Sequence, residues 1–529
     1  MNIAAALTEQ ARARPDAAAL ILPGGRTVSY RDLDADSGRI ARGLAALGVA
    51  PGTRVALLVP PGPDFFPLVF GLFKAAAVPV VVDPGMGIAR MRTCLAEAAP
   101  GAFVGTTKAH LARVLLGLGG GTVRVKVGVG TTLGLGGTSL DGVRRLGGDG
   151  PADARGVAAD DPAAILFTSG STGPPRGAVY THGNFAAQVE MVRRTFGIEP
   201  GEVDLPTFPL FALFDPALGM TTVVPDMDPT RPARADPARI AAQIRKHRVT
   251  TMFASPGLLG PLSEWCAGRD EWFSTLRRVI SAGAPVPPRV LESLARALPE
   301  DAILHTPYGA TEALPVSNID HRTILGETRA KAAAGEGICV GRPVEGIDLR
   351  CIRVTDEPIF QWMPELEVPR GAPGEVVVRG PQVTARYFAR PDADALSKIA
   401  HPGGGFWHRM GDVGKFDEQG RLWFLGRKSQ RVRTAEGDLY ADQCEAVLGA
   451  ESEARVAVVG VGEPGRQEPV AIVESDRPAK EILQVAAGAA CTGGIRRVMN
   501  HGGPIPVDTR HNAKIQRERL AAWAARWGK

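Results

Sequence analysis

The stretch Ile165-Leu-Phe-Thr-Ser-Gly-Ser-Thr-Gly-Pro-Pro-Arg-Gly-Ala-Val179 governs how the rest of the chain is read. Ile165, Leu166 and Phe167 predict a buried strand running into a loop that carries Gly170, Gly173 and Gly177. Thr168, Ser169, Ser171 and Thr172 set four hydroxyls among those glycines. Glycine lets the backbone approach an anion closely, and hydroxyls together with backbone N–H groups donate to its oxygens. The pattern is that of a phosphate-holding loop. It is not a Walker A loop, because the G-x-x-x-x-G-K-[ST] spacing is absent.

On the N-terminal side, helix and strand signals alternate. Tyr30-Arg-Asp-Leu33 opens a helical period through Ile40, Leu44 and Leu47, and Gly48 stops it. Val55–Val59 reads as a short strand, Leu68–Ala77 as a helix and Val78–Val82 as a strand. The apolar run Phe65–Val82 approaches membrane-spanning length, but it holds Lys74 and two prolines, so a buried helix followed by a buried strand is expected. Between 117 and 137, nine of 21 residues are Gly, which predicts a weakly ordered connection.

On the C-terminal side, Ala163–Thr168, Thr250–Ala254, Arg278–Ser281 and Ala302–Thr306 are candidate strands, and a β-rich stretch runs from Gly341 to Gly426. The expected fold is α/β: a large N-terminal layered domain with a β-rich subdomain (1–426), a hinge (427–430) and a small mobile C-terminal α/β domain (431–529). The last helix should bury Ile515, Leu520, Trp523 and Trp527 and leave Arg517, Arg519 and Arg526 in solvent.

Composition narrows the function. The chain has 529 residues, a net charge of +5 and 44% hydrophobic content, which are values of a globular protein of several parts. Nucleic-acid binding is set aside for want of a strong basic block. The six cysteines have no C-x-x-C spacing, which fits a reducing cytosol and no structural metal. Of 61 basic residues only 11 are Lys, so each Lys is informative. From Gly493 onward eight Lys/Arg face two Asp/Glu, a basic piece suited to approach an anion.

Further motifs follow the loop in order: Ser281-Ala-Gly-Ala-Pro285, Tyr308-Gly-Ala-Thr-Glu312, Met410-Gly-Asp412, Gly426-Arg427 and Asn512-Ala-Lys514. Together with the loop they resemble the adenylate-forming superfamily of acyl-CoA synthetases, adenylation domains and luciferases, from Tyr30 to Leu520. The resemblance implies an enzyme that uses ATP and Mg²⁺ to turn a carboxylate into an acyl-adenylate. It implies that Thr168, Ser169, Gly170, Ser171, Thr172 and Arg176 hold ATP phosphates. Thr311 would touch the α-phosphate, Glu312 would bind Mg²⁺, and Lys514 would bridge carboxylate and α-phosphate. Gly283, Ala284, Pro285 and Tyr308 would contact adenine, and Asp412 with Arg427 the ribose. Arg176 stands where the family usually carries Lys, Ser429 where the hinge commonly has Asp or Lys, and Ala212 where an acyl-pocket His is common.

The segment Phe211-Ala-Leu-Phe-Asp-Pro-Ala-Leu-Gly-Met220 and the string Ile505–Lys514 resemble, more narrowly, the β-lactone synthetases of bacterial long-chain olefin biosynthesis. That resemblance implies a 2-alkyl-3-hydroxy fatty acid as substrate. It implies a thiolase-like condensing enzyme, a reductase and a lactone decarboxylase as pathway partners. An acyl-CoA or acyl-carrier ligase is the alternative. Phe211, Phe214, Leu218, Ser255, Gly257 and Leu258 are expected to line the acyl pocket, and His182 and His305 are candidate bases for ring closure.

Overall fold

The computed structural model describes residues 2–151, 154–168, 175–208, 210–269, 271–450, 455–474, 478–507 and 514–527. The strand Pro162–Thr168 lies in a seven-stranded sheet ordered Thr138–Ser139, Val125–Val129, Ala102–Thr106, Arg54–Leu58, Val78–Val82, Pro162–Thr168 and Arg176–Thr181. Neighbours are parallel except the last pair, where Thr168 faces Arg176 in antiparallel register. Arg54–Leu58 has Val78–Val82 on one side and Ala102–Thr106 on the other, so the chain order reverses there. A reversal of this kind opens a crevice at the carboxyl ends of parallel strands.

The covering helices follow the sequence signals. Tyr30–Ala46 begins where the Ser29 hydroxyl accepts the Asp32 N–H, at 3.1 Å, and ends before Gly48 at φ 90°. Phe65–Lys74 is buried along its whole length. Its one charge, Lys74, is neutralised by Asp34 at 2.6 Å, which makes burial tolerable without a bilayer. Among the described residues no helix is long and apolar enough to cross a membrane.

A second seven-stranded sheet runs Ile303–His305, Arg278–Ile280, Thr251–Phe253, Val203–Pro206, Thr221–Val223, Ala18–Ile21 and Thr27–Ser29. The third sheet is antiparallel and starts earlier than the sequence suggested, with Tyr308–Ala310 and Ala313–Asn318. It continues through Ile338–Pro343, Leu422–Arg427, Phe406–Phe416, Gly374–Arg379 and Asp348–Ile352. After Arg427 come a three-stranded sheet (Val456–Val461, Glu468–Val473, Arg497–Asn500) and the helices Ala441–Leu448, Ala479–Ala487 and Arg517–Trp527. The expected layered α/β architecture is the one observed.

Two local readings are corrected. The glycine-rich stretch contains a true strand: Val125–Val129 pairs in parallel with Ala102–Thr106 over five residues, because Val125, Val127 and Val129 supply the alternation that the glycines only dilute. In the last helix Leu520 and Ala524 are buried, whereas Trp527 is 72% exposed. Arg517 is not in solvent. It is buried and paired with Glu445 at 2.6 Å and Asp442 at 3.2 Å, since a guanidinium can satisfy two carboxylates with one planar fork.

Candidate active site

The carboxyl ends of the two parallel sheets, one face of the antiparallel sheet and the C-terminal segment enclose one cavity of about 2410 Å³. It collects residues that are far apart in sequence: Arg176, Ser281 to Pro285, Tyr308, Thr311, Glu312, Asp412, Arg427 and Lys514 all line it. Ser169, Gly170, Ser171 and Thr172 lie outside the described residues, as does the side chain of Thr168. On either side of it, Phe167 of the strand Pro162–Thr168 and Arg176 of the strand Arg176–Thr181 line the cavity.

At one end Asp412 is fully buried on the strand Phe406–Phe416. Tyr308 donates its hydroxyl to Asp412 Oδ2 at 2.5 Å, and Arg427 Nη1 lies 2.7 Å from Oδ1 as an ion pair. The Arg427 guanidinium is thus the charged partner of Oδ1 and the Tyr308 hydroxyl the donor to Oδ2. Burial pushes the Asp412 carboxyl upward, and Arg427 and Tyr308 pull it back. The Ser255 and Ser281 hydroxyls, both on the cavity wall, are buried without a hydrogen-bond partner among the described residues. Buried polar atoms of this kind are costly unless a ligand satisfies them. Gly283, at φ 99°, gives the turn that brings backbone rather than side chain to the wall.

Glu312 also lines the cavity. One carboxylate oxygen accepts from the Tyr387 hydroxyl at 2.7 Å, and the Glu312 carbonyl accepts the Thr384 N–H at 2.9 Å. The Thr311 carbonyl accepts the Tyr180 hydroxyl. Around Tyr387 gather the Arg176 guanidinium, 5.6 Å from the ring centre, and the Lys398 ammonium at 5.8 Å. Burial pushes Lys398 down to about 7, opposed by Glu312 and Asp394. His408 also lines the cavity; its Nδ1 has no partner among the described residues, and burial holds its pKa well below the usual range. Sequence reasoning missed Tyr387, Lys398 and His408.

Phe211, Phe214 and Ser255 line the cavity, together with Phe208 and Phe253. Phe211 stacks on Phe253 with centroids 3.9 Å apart and meets Phe214 edge-on at 5.7 Å. Three expected residues do not reach it. Leu218 is packed in the core under the first sheet, and Leu258 belongs to the core of the second. Gly257 is buried in the helix Pro256–Ala267 and does not line the cavity. The two candidate bases are not among the residues that line the cavity either. His182 Nδ1 accepts the Ile3 N–H at 3.2 Å, and His305 Nδ1 lies 3.0 Å from the Asn318 amide. Burial pushes both imidazoles down to about 4.

The sequence profile of AMP-binding enzymes matches residues 7–388. The chain belongs to the AMP-binding enzyme family. It is 48% identical to the olefin beta-lactone synthetase of Stenotrophomonas maltophilia (strain K279a), over 99% of this chain and 98% of that protein. It is 47% identical to the olefin beta-lactone synthetase of Xanthomonas campestris pv. campestris, over 99% and 97%. The solved structure of the amide bond synthetase McbA from Marinactinospora thermotolerans superposes with a TM-score of 0.80 over 98% of this chain and 99% of that one, at 23% identity. This AMP-binding enzyme is thus an ATP-dependent, adenylate-forming ligase.

Proposed function

We propose that the chain converts a 2-alkyl-3-hydroxy fatty acid into a β-lactone through an acyl-adenylate, releasing pyrophosphate and then AMP. The observation that carries this reading is near-half identity along essentially the full length of the two olefin beta-lactone synthetases. A cavity that is polar around Asp412 and aromatic around Phe211 supports it.

In the first step a substrate carboxylate oxygen attacks the α-phosphorus of ATP and pyrophosphate leaves. Thr168 to Thr172 and Arg176 hold phosphates, and Thr311 touches the α-phosphate. Gly283, Ala284, Pro285 and Tyr308 frame the adenine, and Asp412 accepts from the ribose beside Arg427. Glu312, with one oxygen committed to Tyr387 and a second remaining, fits a hard cation that takes few protein ligands. Mg²⁺ bound there supplies neutralisation of phosphate charge. Lys514 brings a compact ammonium between the two reacting anions and offsets their repulsion. In the second step the substrate's own β-hydroxyl oxygen attacks the activated carbonyl, its proton passes to solvent or a base, and AMP leaves. The tethered nucleophile needs no CoA, and proximity contributes up to roughly 7–11 kcal/mol against ring strain. The unit after Gly426 turns about residues 427–430 between the steps, carrying Lys514 in and out. The class of enzyme that supplies the substrate is a condensing enzyme followed by a ketone reductase, and a decarboxylase consumes the lactone.

The test is to supply 3-hydroxy acid, ATP and Mg²⁺ without CoA. AMP and lactone should accumulate together. Product formation only after CoA addition would make the chain an acyl-CoA ligase instead.

A further inference from the structure

Of the twelve large apolar side chains exposed among the described residues, six fall between positions 88 and 133: Ile88, Leu111, Val114, Leu115, Leu116 and Leu133. Four of them lie on the helix Thr107–Leu116. The glycine-rich segment fastens Leu133 beside it: Arg113 Nη2 donates to the Leu135 carbonyl at 3.0 Å, and the Thr107 hydroxyl donates to the Thr131 carbonyl. Ile88 opens the helix Ile88–Ala98, whose Arg92 reaches to 4.0 Å from where a Cβ on Gly117 would stand, at the end of the first helix. The two helices and the loop therefore lie side by side.

This face is also basic. Residues 84–126 contain Arg90, Arg92, Lys108, Arg113, Arg124 and Lys126 against the single acid Glu97, so the segment carries as much net positive charge as the whole chain, +5. Glu97 is in addition neutralised by Arg390 at 2.6 Å. The same helices present Ile88, Met91, Ala109 and Ala112 to the cavity wall.

We propose that this face docks on the surface of an anionic phospholipid bilayer. The ten-residue helix Thr107–Leu116 is half the roughly 20 residues needed to span a bilayer, so it lies in the interface. Its leucines enter the acyl boundary while Lys and Arg reach the headgroups. The patch is wholly aliphatic, whereas protein interfaces centre on Trp, Tyr and Phe anchors, and its charge complements acidic lipid. Docking sets the cavity wall against the phase in which long-chain acids dissolve. That use of the surface rests on the proposed substrate; the docking itself does not.

The test uses the full chain without substrate, floated with vesicles of phosphatidylcholine with or without phosphatidylglycerol. Binding to the anionic vesicles only, weakened by salt, is expected. Leu111→Ser with Leu115→Ser, and separately Arg90→Glu with Arg92→Glu, should each lower that binding at least about tenfold while leaving Tm and ATP–pyrophosphate exchange unchanged. The proposal is overturned if the wild type does not bind anionic vesicles at low salt, or if both variants bind as the wild type does. It is equally overturned if the leucine variant only dissociates a dimer in the ultracentrifuge, which would assign the face to a second copy.

Discussion

Tyr387 donates its hydroxyl to Glu312 Oε1 at 2.7 Å, tying the segment after the strand Gly374–Arg379 to the turn between Tyr308–Ala310 and Ala313–Asn318. Burial, and next the charge of Glu312, push the phenol far up, so it stays a donor throughout the working range. The bond orients the carboxylate, and under the proposed function its other oxygen takes the cation. Tyr387→Phe removes a hydrogen bond to a charged group, worth about 1.5–3 kcal/mol. The expected outcome is a rise of roughly 10- to 100-fold in the Mg²⁺ concentration that half-saturates pyrophosphate exchange, with Tm nearly unchanged. An unaltered Mg²⁺ dependence would reduce Tyr387 to a packing residue.

Lys514 lines the cavity from the C-terminal side. Lys514→Ala should lower the adenylation rate on the order of 10²–10³-fold, the cost of losing one transition-state donor. Pyrophosphate exchange reads that half-reaction alone. Lys514→Arg should not restore it, because a planar fork cannot sit as a point charge between two anions. Loss confined to lactone release would move the role of Lys514 to ring closure.

Much of this was legible in the sequence, and the part that was not has a physical reason. The strand, turn and helix signals around Tyr30, Gly48 and Ile165 are local, so pattern alone located them. Asp412 and Tyr308 were found by motif although 104 residues separate them. Tyr387 was invisible because its partner Glu312 lies 75 residues away, in the turn between two strands, and no spacing rule connects them. The acyl wall failed at Leu258 for a helical reason. Ser255 precedes the helix Pro256–Ala267 and faces the cavity, but the helix then turns about 100° per residue, carrying Leu258 to the second core. A stretch of apolar sequence does not say which of its residues face a cavity and which a core.

That distinction can be measured. Leu258→Ala should destabilise the fold by about 2–5 kcal/mol, as emptying a core does, and leave the substrate profile alone. Phe214→Ala should act in the opposite sense: a smaller loss of stability, because the side chain borders an open cavity, and a shift of the preferred acyl chain to greater length. Product mass spectrometry over a panel of 3-hydroxy acids, set beside denaturant unfolding, separates the two. A changed chain-length profile in Leu258→Ala would return that residue to the acyl wall.

The pH dependence of stability is tied to a buried carboxyl pair behind that wall. Asp204 and Asp215 are both fully buried, on neighbouring elements bridged by Thr222, whose hydroxyl donates to Asp215 Oδ2 at 3.0 Å. The oxygens of Asp204 meet no hydrogen-bond donor among the described residues, which favours the protonated carboxyl, a donor toward Asp215. Burial pushes Asp204 well up, with the charge of Asp215 adding to it, and burial raises Asp215 to about 7. Both folded values lie above the ordinary 3.8, so between 3.8 and about 7 the native chain holds protons that the unfolded chain has released. The stabilisation is therefore complete below 3.8 and is lost as pH rises through about 7. Each proton so held contributes a slope of about 1.4 kcal/mol per pH unit. Asp204→Asn with Asp215→Asn keeps the shape and removes the protons, so its stability should vary less with pH than the wild type over this window. Denaturant unfolding of both proteins across the window checks it; parallel curves would show that the pair does not hold these protons in the native state.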